Sequence, residues 1–240
     1  MKDNRMGYKI YLPTRLLWQV GFRPFFTLAI LSGLSLPILW AFIHSGEIAA
    51  AQTTFTMVQW HAHEMFFGFG WAVLGGFLLT ATKNWVGVRG YYGYALMFLV
   101  GAWLFERAGM WFEGIWPPLL FRISNNLFIT AIVAMLMWTL IRNHKTDSHR
   151  DNYFLLLILP VFLLAKNLML SADYYQIGWS MAVGLFRMAF LVMLERTLPQ
   201  FMKSVFQVSI LSNQVLNKAI NEFQEHGLAD KPGFSMPLAA

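Results

Sequence analysis

The chain has 240 residues, of which 57% are hydrophobic and 12% charged, with 22 Phe, 10 Trp and 14 Met. A soluble domain carries about 25% charged residues, so a water-soluble enzyme with a solvated surface is excluded, and the aromatic load excludes disorder. No cysteine is present, which removes disulfides, thiolate metal sites, iron–sulfur clusters and Cys nucleophiles; the net charge of +6 is interpretable only once its placement is known.

Six apolar stretches follow one another at 24–43, 61–82, 91–107, 117–141, 153–170 and 178–198. A membrane span needs roughly 20 apolar residues, so the fold class is all-α, a polytopic transmembrane bundle of about six spans. The first stretch is too long for the apolar core of a signal peptide and reads as a retained span. The stretch from Tyr91 is the shortest, and the one from Tyr153 contains Pro160. A six-span domain thus occupies 1–200. After Pro199, apolar residues recur at helical spacing from Val205 to Phe223, which predicts an interfacial amphipathic helix over 201–225. Residues 226–240 have no periodicity and read as a loose tail.

Lys and Arg near span ends set orientation. Fourteen of the 18 fall on one side, from Lys2 to Arg23, at Lys83 and Arg89, from Arg142 to Arg150, and from Arg196 onward. The opposite side has Arg107 alone. Both termini are therefore expected in the cytoplasm, and the basic balance marks topology rather than nucleic acid. Trp18, Trp85 and Trp138 fall near cytoplasmic ends, and Trp40, Trp60, Trp111, Trp116 and Trp179 near outer ends, as interfacial indoles should. Trp71 is the exception, inside span two.

Ionisable side chains within a membrane are functional candidates by default. Read by depth, His61, His63 and Glu64 enter with the first turn of span two, and Glu106 and Arg107 end span three. Arg122 lies in span four, Lys166 in span five, and Arg187 near the middle of span six. These depths converge on the outer half, with Asn125, Asn126 and Asn167 adding hydrogen-bonding groups. Arg107 and Glu106, at a span end, read as structural, pairing within the bundle or snorkelling to the interface; Arg122, Lys166 and Arg187 read as functional.

The sharpest cluster is W-H-A-H-E-M, Trp60 to Met65. At 100° per residue His61, Glu64, Met65, Gly68, Ala72 and Gly76 share a face, and His63 points about 160° from His61. Gly68, Ala72 and Gly76 form a small-residue stripe that lets a backbone or a flat cofactor approach. Imidazole and thioether suit copper and haem iron, so His61, His63 and Met65 are candidate metal ligands. Glu64 is placed to orient a histidine or to relay protons. The spacing is not H-E-x-x-H, so a metalloprotease is unsupported, and two His at i,i+2 cannot ligate one metal from the same helix. His44, His144, His149 and His226 lie in loops or the tail.

GFRPFF at 21–26, WHAHEMFFGF at 60–69 and GGFLLTATKNWVG at 75–87 together resemble the NnrS family of multi-pass bacterial membrane proteins. The likeness continues through LFRIS around Arg122, Lys166–Asn167 and LERTLPQFMK at 194–203, covering roughly residues 15 to 220. It implies a haem- and copper-containing protein of the bacterial cytoplasmic membrane, linked to nitric oxide metabolism and nitrosative stress. The family's motif positions fall here on Arg23, Trp60, His61, His63, Glu64, Gly68 and Gly76. With a haem in mind, Arg122, Lys166 and Arg187 become candidate partners for its propionates, alongside His61, His63 and Glu64. Members of that family usually continue past the RTLP motif into a second half. The chain therefore reads as a short member, a truncated product, or a half that pairs with another chain or a second copy.

Two other readings stand beside the haem and copper one. In a transporter or channel for a small anion or metal, the outer Arg and Lys would form a substrate site. In a non-catalytic fragment of a longer protein, they would only pack.

Overall fold

The computed structural model describes residues 16–49, 53–144 and 154–206, the last without the side chains of 200, 201 and 203–206. The described residues form helices and no strands. Six rods follow the six apolar stretches: α1 (Phe22–His44), α2 (Met57–Trp85), α3 (Tyr94–Trp111), α4 (Pro118–Arg142), α5 (Phe154–Met169) and α6 (Tyr175–Phe206). The polytopic helical bundle expected from composition is present. Among the described residues, four helices are long and apolar enough to cross a membrane: α1, α2, α4, and α6 as far as Pro199. At 1.5 Å per residue α3 and α5 are about 27 and 24 Å long.

Two compact units divide the chain, the first ending at Ala189 and the second starting at Phe190. In the first, α3 lies along α4, α1 along α2, and α4 touches α2 and α5. In the second, the helix begun at Tyr175 continues through Pro199 to Phe206, and Thr197 Oγ1 donates to the Met193 carbonyl at 2.7 Å. The helix thus runs past Pro199 into the first residues of the expected 201–225 helix. Beyond Phe206 the expected amphipathic helix and the tail lie outside the described residues.

Local sequence explains where α2 and α4 begin. Thr56 Oγ1 accepts from the Gln59 N–H while Gln59 Oε1 accepts from the Thr56 N–H, at 3.3 and 3.0 Å. This T-x-x-Q capping box satisfies two N–H groups that an uncapped start would leave open. Pro117 and Pro118 start α4, where a missing N–H costs nothing. Because the cap starts α2 at Met57, His63 sits about 9 Å inside the helix rather than in its first turn.

The core between these helices is aromatic and close-packed. Gly76 brings α2 against α1 so closely that a Cβ there would sit 2.8 Å from that of Phe25. Trp71, the indole out of place in the sequence, is fully buried and meets the Phe162 ring of α5 edge-on at 5.2 Å. A sizeable aromatic there fills space that smaller side chains would leave as a void.

Candidate functional site

Five ionisable side chains from three helices meet in the interior: His63 and Glu64 of α2, Glu106 and Arg107 of α3, and Lys166 of α5. Glu106 is the hub. Its Oε1 accepts from Lys166 Nζ at 2.5 Å and from Arg107 Nη2 at 2.5 Å. Lys166 Nζ also donates to the Asn125 carbonyl of α4. Arg107 Nε lies 3.1 Å from Glu64 Oε2. His63 stands between the two acids, with Nδ1 3.7 Å from Glu64 Oε1 and Nε2 3.9 Å from Glu106 Oε1. Glu106 and Lys166 are 0% exposed.

With His63 uncharged, two carboxylates face two cations and the cluster sums to zero. An isolated ion here would cost several kcal/mol in desolvation, and mutual pairing is what makes the cluster tenable. The pairing is nevertheless incomplete. Both ring nitrogens of His63, Glu64 Oε1, Glu106 Oε2 and Arg107 Nη1 are buried without a hydrogen-bond partner. Such unmatched capacity is uncommon in native interiors and marks a place where a proton or a ligand can be held.

Backbone geometry shapes the site. Residues Glu64–Gly70 form a π-helical segment inside α2, a departure from α-helix that is frequent at functional sites. The Gly68 carbonyl accepts from Trp103 Nε1 of α3 at 3.1 Å. A Cβ on Gly68 would collide with the Arg107 guanidinium and stand 3.0 Å from Glu64 Oε2. Only glycine leaves the guanidinium this close to the helix. The i,i+4 spacing of Glu64 and Gly68 thus gives α3 room to deliver its arginine.

The sequence candidates divide into two groups. His63, Glu64 and Lys166 come together. His61 points the other way, stacked on Trp40 of α1 with ring centroids 4.5 Å apart, in keeping with the 160° expected between the two histidines. Met65 is half-buried. Arg187 is exposed on α6, and Arg122 is exposed on α4. Arg122 lines a cavity of about 900 Å³ with Gln59, Glu113, Asn126 and Asn167. In its wall Asn167 Nδ2 donates to Asn126 Oδ1 at 2.9 Å, and Glu113 Oε2 accepts from the Thr54 N–H at 2.6 Å.

Of the two structural readings of Glu106 and Arg107, pairing within the bundle holds and snorkelling at the interface does not: Glu106 is the buried hub and Arg107 its neighbour. The helix continues to Trp111, which puts Glu106 about 7 Å inside its end. The signal was available: Ala108, Gly109, Met110 and Trp111 continue the apolar run after the charged pair.

Copper requires several suitable donors around one point. Among the described residues no three His, Cys, Asp or Glu side chains are grouped to hold a metal ion. His61 and His63 face different helices, and both carboxylates already face cations. A haem requires an axial donor beside a flat slot. The free nitrogens of His63 are donors, but its ring is enclosed by Glu64, Glu106 and Phe67, whose ring centroid is 5.4 Å away. The small-residue stripe is filled, by Phe25 and Phe26 at Gly76 and by Arg107 at Gly68. Around His63 and the small-residue stripe the described residues therefore leave no slot for a haem and gather no donor set for copper.

A family model described as NnrS protein matches residues 16–223. No curated protein matches the chain, and no solved structure does.

Proposed function

The chain belongs to the NnrS family, and from that premise we propose that it contributes to nitric oxide metabolism or nitrosative-stress tolerance, with the His63–Glu64–Glu106–Arg107–Lys166 cluster as its working centre. The observation that carries this reading is the gathering of five ionisable groups from three apolar helices. Intramembrane charges are expensive, and those that persist in bundle interiors serve ion, proton or substrate handling. A histidine with both nitrogens free between two carboxylates is suited to accepting a proton from one and passing it to the other. Nitric oxide chemistry that moves electrons also consumes or releases protons, and the cluster supplies an internal carrier for them.

The Lys and Arg distribution supports a reading with both termini in the cytoplasm, and family membership supports the bacterial cytoplasmic membrane; in that reading the cluster lies in the outer half. Haem and copper belong to this reading only through family membership. In it the chain's own residues hold and move the proton.

The test is survival under a nitric-oxide-releasing compound, in a sensitive bacterial host producing the chain. Wild type should raise tolerance, while His63→Phe and Glu106→Gln should abolish the gain at matched membrane levels. No gain from wild type, or full protection by Glu106→Gln, would overturn the reading.

A further inference from the structure

Lys83, Arg89 and Arg142 belong to the basic side of the sequence, and the fold gathers them. The connection from α2 to α3 turns back over the end of α2. Gly87, at φ 65°, lets the Val86 N–H donate to the Thr82 carbonyl and the Val88 N–H to the Lys83 carbonyl, at 3.1 and 3.0 Å, a helix stop that depends on glycine. The returning chain passes so close to Lys83 that a Cβ on Gly90 would sit 2.7 Å from the lysine Cδ. Tyr91 then anchors it to α4, its hydroxyl donating to the Met135 carbonyl at 2.9 Å. Three cations from three separate segments thereby line one pocket of about 240 Å³.

Among the described residues no acid lines this pocket, and none of the three cationic side chains has an ion pair or a hydrogen bond. Arg89 lies over the Tyr92 ring at 3.8 Å and Arg142 over the Trp138 ring at 5.7 Å. Such contacts occupy a face of the guanidinium and leave its N–H edge for an oxyanion. The C-termini of α2 and α4 each bring about half a negative charge to this end, so about two of the three positive charges stay unmatched. Ala134, Trp138 and Ile141 are exposed on α4, at a spacing that puts them on one face. Trp138 also lines the pocket. In a bilayer that face meets acyl chains, and a lipid lying along it brings its head group to the cations.

We propose that the pocket between the ends of α2 and α4 binds a phosphate group, carried by an anionic phospholipid whose chains lie along the exposed face of α4. A phosphodiester offers charged oxygens to Lys83, Arg89 and Arg142 at once. Basic pockets between helices, on the side that the Lys and Arg distribution assigns to the cytoplasm, suit such head groups. Lys83 is about 28 Å along α2 from Glu64 at 1.5 Å per residue, so this binding and the nitric oxide reading succeed or fail separately.

Native mass spectrometry of the purified full chain, released from micelles holding equal amounts of phosphatidylglycerol and phosphatidylcholine, tests this. Both lipids carry a phosphodiester, and only the first has a net negative charge. Wild type should retain phosphatidylglycerol in preference. Lys83→Gln, Arg89→Gln and Arg142→Gln should each cut that preference about fivefold, with helix content unchanged. Arg23→Gln removes a cation from the same end of the bundle but outside this pocket, and should leave the preference intact. Soluble glycerol phosphate in excess should not displace the lipid. Equal retention of the two lipids, or a loss in Arg23→Gln as large as in Arg142→Gln, would overturn the proposal. Displacement by glycerol phosphate would overturn it too, by making the site one for a soluble phosphate.

Discussion

The face where α2, α3 and α5 meet and the outward faces of α4 and α6 both carry cations inside apolar helices, and they accommodate them in opposite ways. Lys166 is fully enclosed and held by Glu106 and the Asn125 carbonyl. Arg187 and Arg122 are exposed, the first on the surface of α6 and the second at the rim of a large polar cavity. The enclosed cation is committed, since removing any charged member of its cluster strands another charge in low dielectric. The exposed cations keep the length and freedom to reach water or headgroups. An intramembrane cation therefore says that something must be compensated, and packing decides whether protein or solvent does it.

That contrast yields ordered expectations. Glu106→Ala should be the most damaging single change. It leaves Lys166 and Arg107 without their shared carboxylate, and breaking a buried pair in this way costs about 3–5 kcal/mol. Unfolding of the purified protein by denaturant in mixed micelles measures it. Gly68→Val should come next, at about 1–3 kcal/mol of overpacking, because its side chain displaces the Arg107 guanidinium from Glu64. The same titration reads it, and a Gly68→Val protein as stable as wild type would show that the close approach is not required. Arg187→Leu should fall within about 0.5 kcal/mol of wild type. A large loss there would mean that α6 compensates its charge as tightly as α5 does.

Much of this arrangement was legible in the sequence. The six apolar stretches became six rods, and the 100° rule placed His61 and His63 on different sides of α2. His63, Glu64 and Lys166 share one level of the bundle, as expected of them, but the 100° rule puts Glu64 on the face of His61, whereas it meets His63 and Arg107. Ending span three at its first charged pair puts Glu106 at the interface, but four apolar residues carry the helix on to Trp111 and enclose it. His63 and Glu64 lie deeper than expected because the Thr56–Gln59 capping box begins α2 at Met57, four residues before the apolar stretch. The π-helical segment has no sequence period that distinguishes it from an α-helix over seven residues. Its role emerges only when Trp103 and Arg107 approach from α3. Depth fixes distance along the bundle normal and leaves the direction around the helix open, which is why Arg187 shares the depth of the cluster and faces outward.

The central claim is that Glu106 and Lys166 form one buried unit, and a double-mutant cycle tests it most directly. Unfolding free energies are measured for wild type, Glu106→Gln, Lys166→Met and the combined variant. Residues in contact give interaction energies of 0.5–3 kcal/mol, and a buried pair should approach the top of that range. A coupling of about 2–3 kcal/mol, with the double variant more stable than the sum of its parts, is the predicted result. Additivity within about 0.3–0.5 kcal/mol, the behaviour of distant sites, would contradict it.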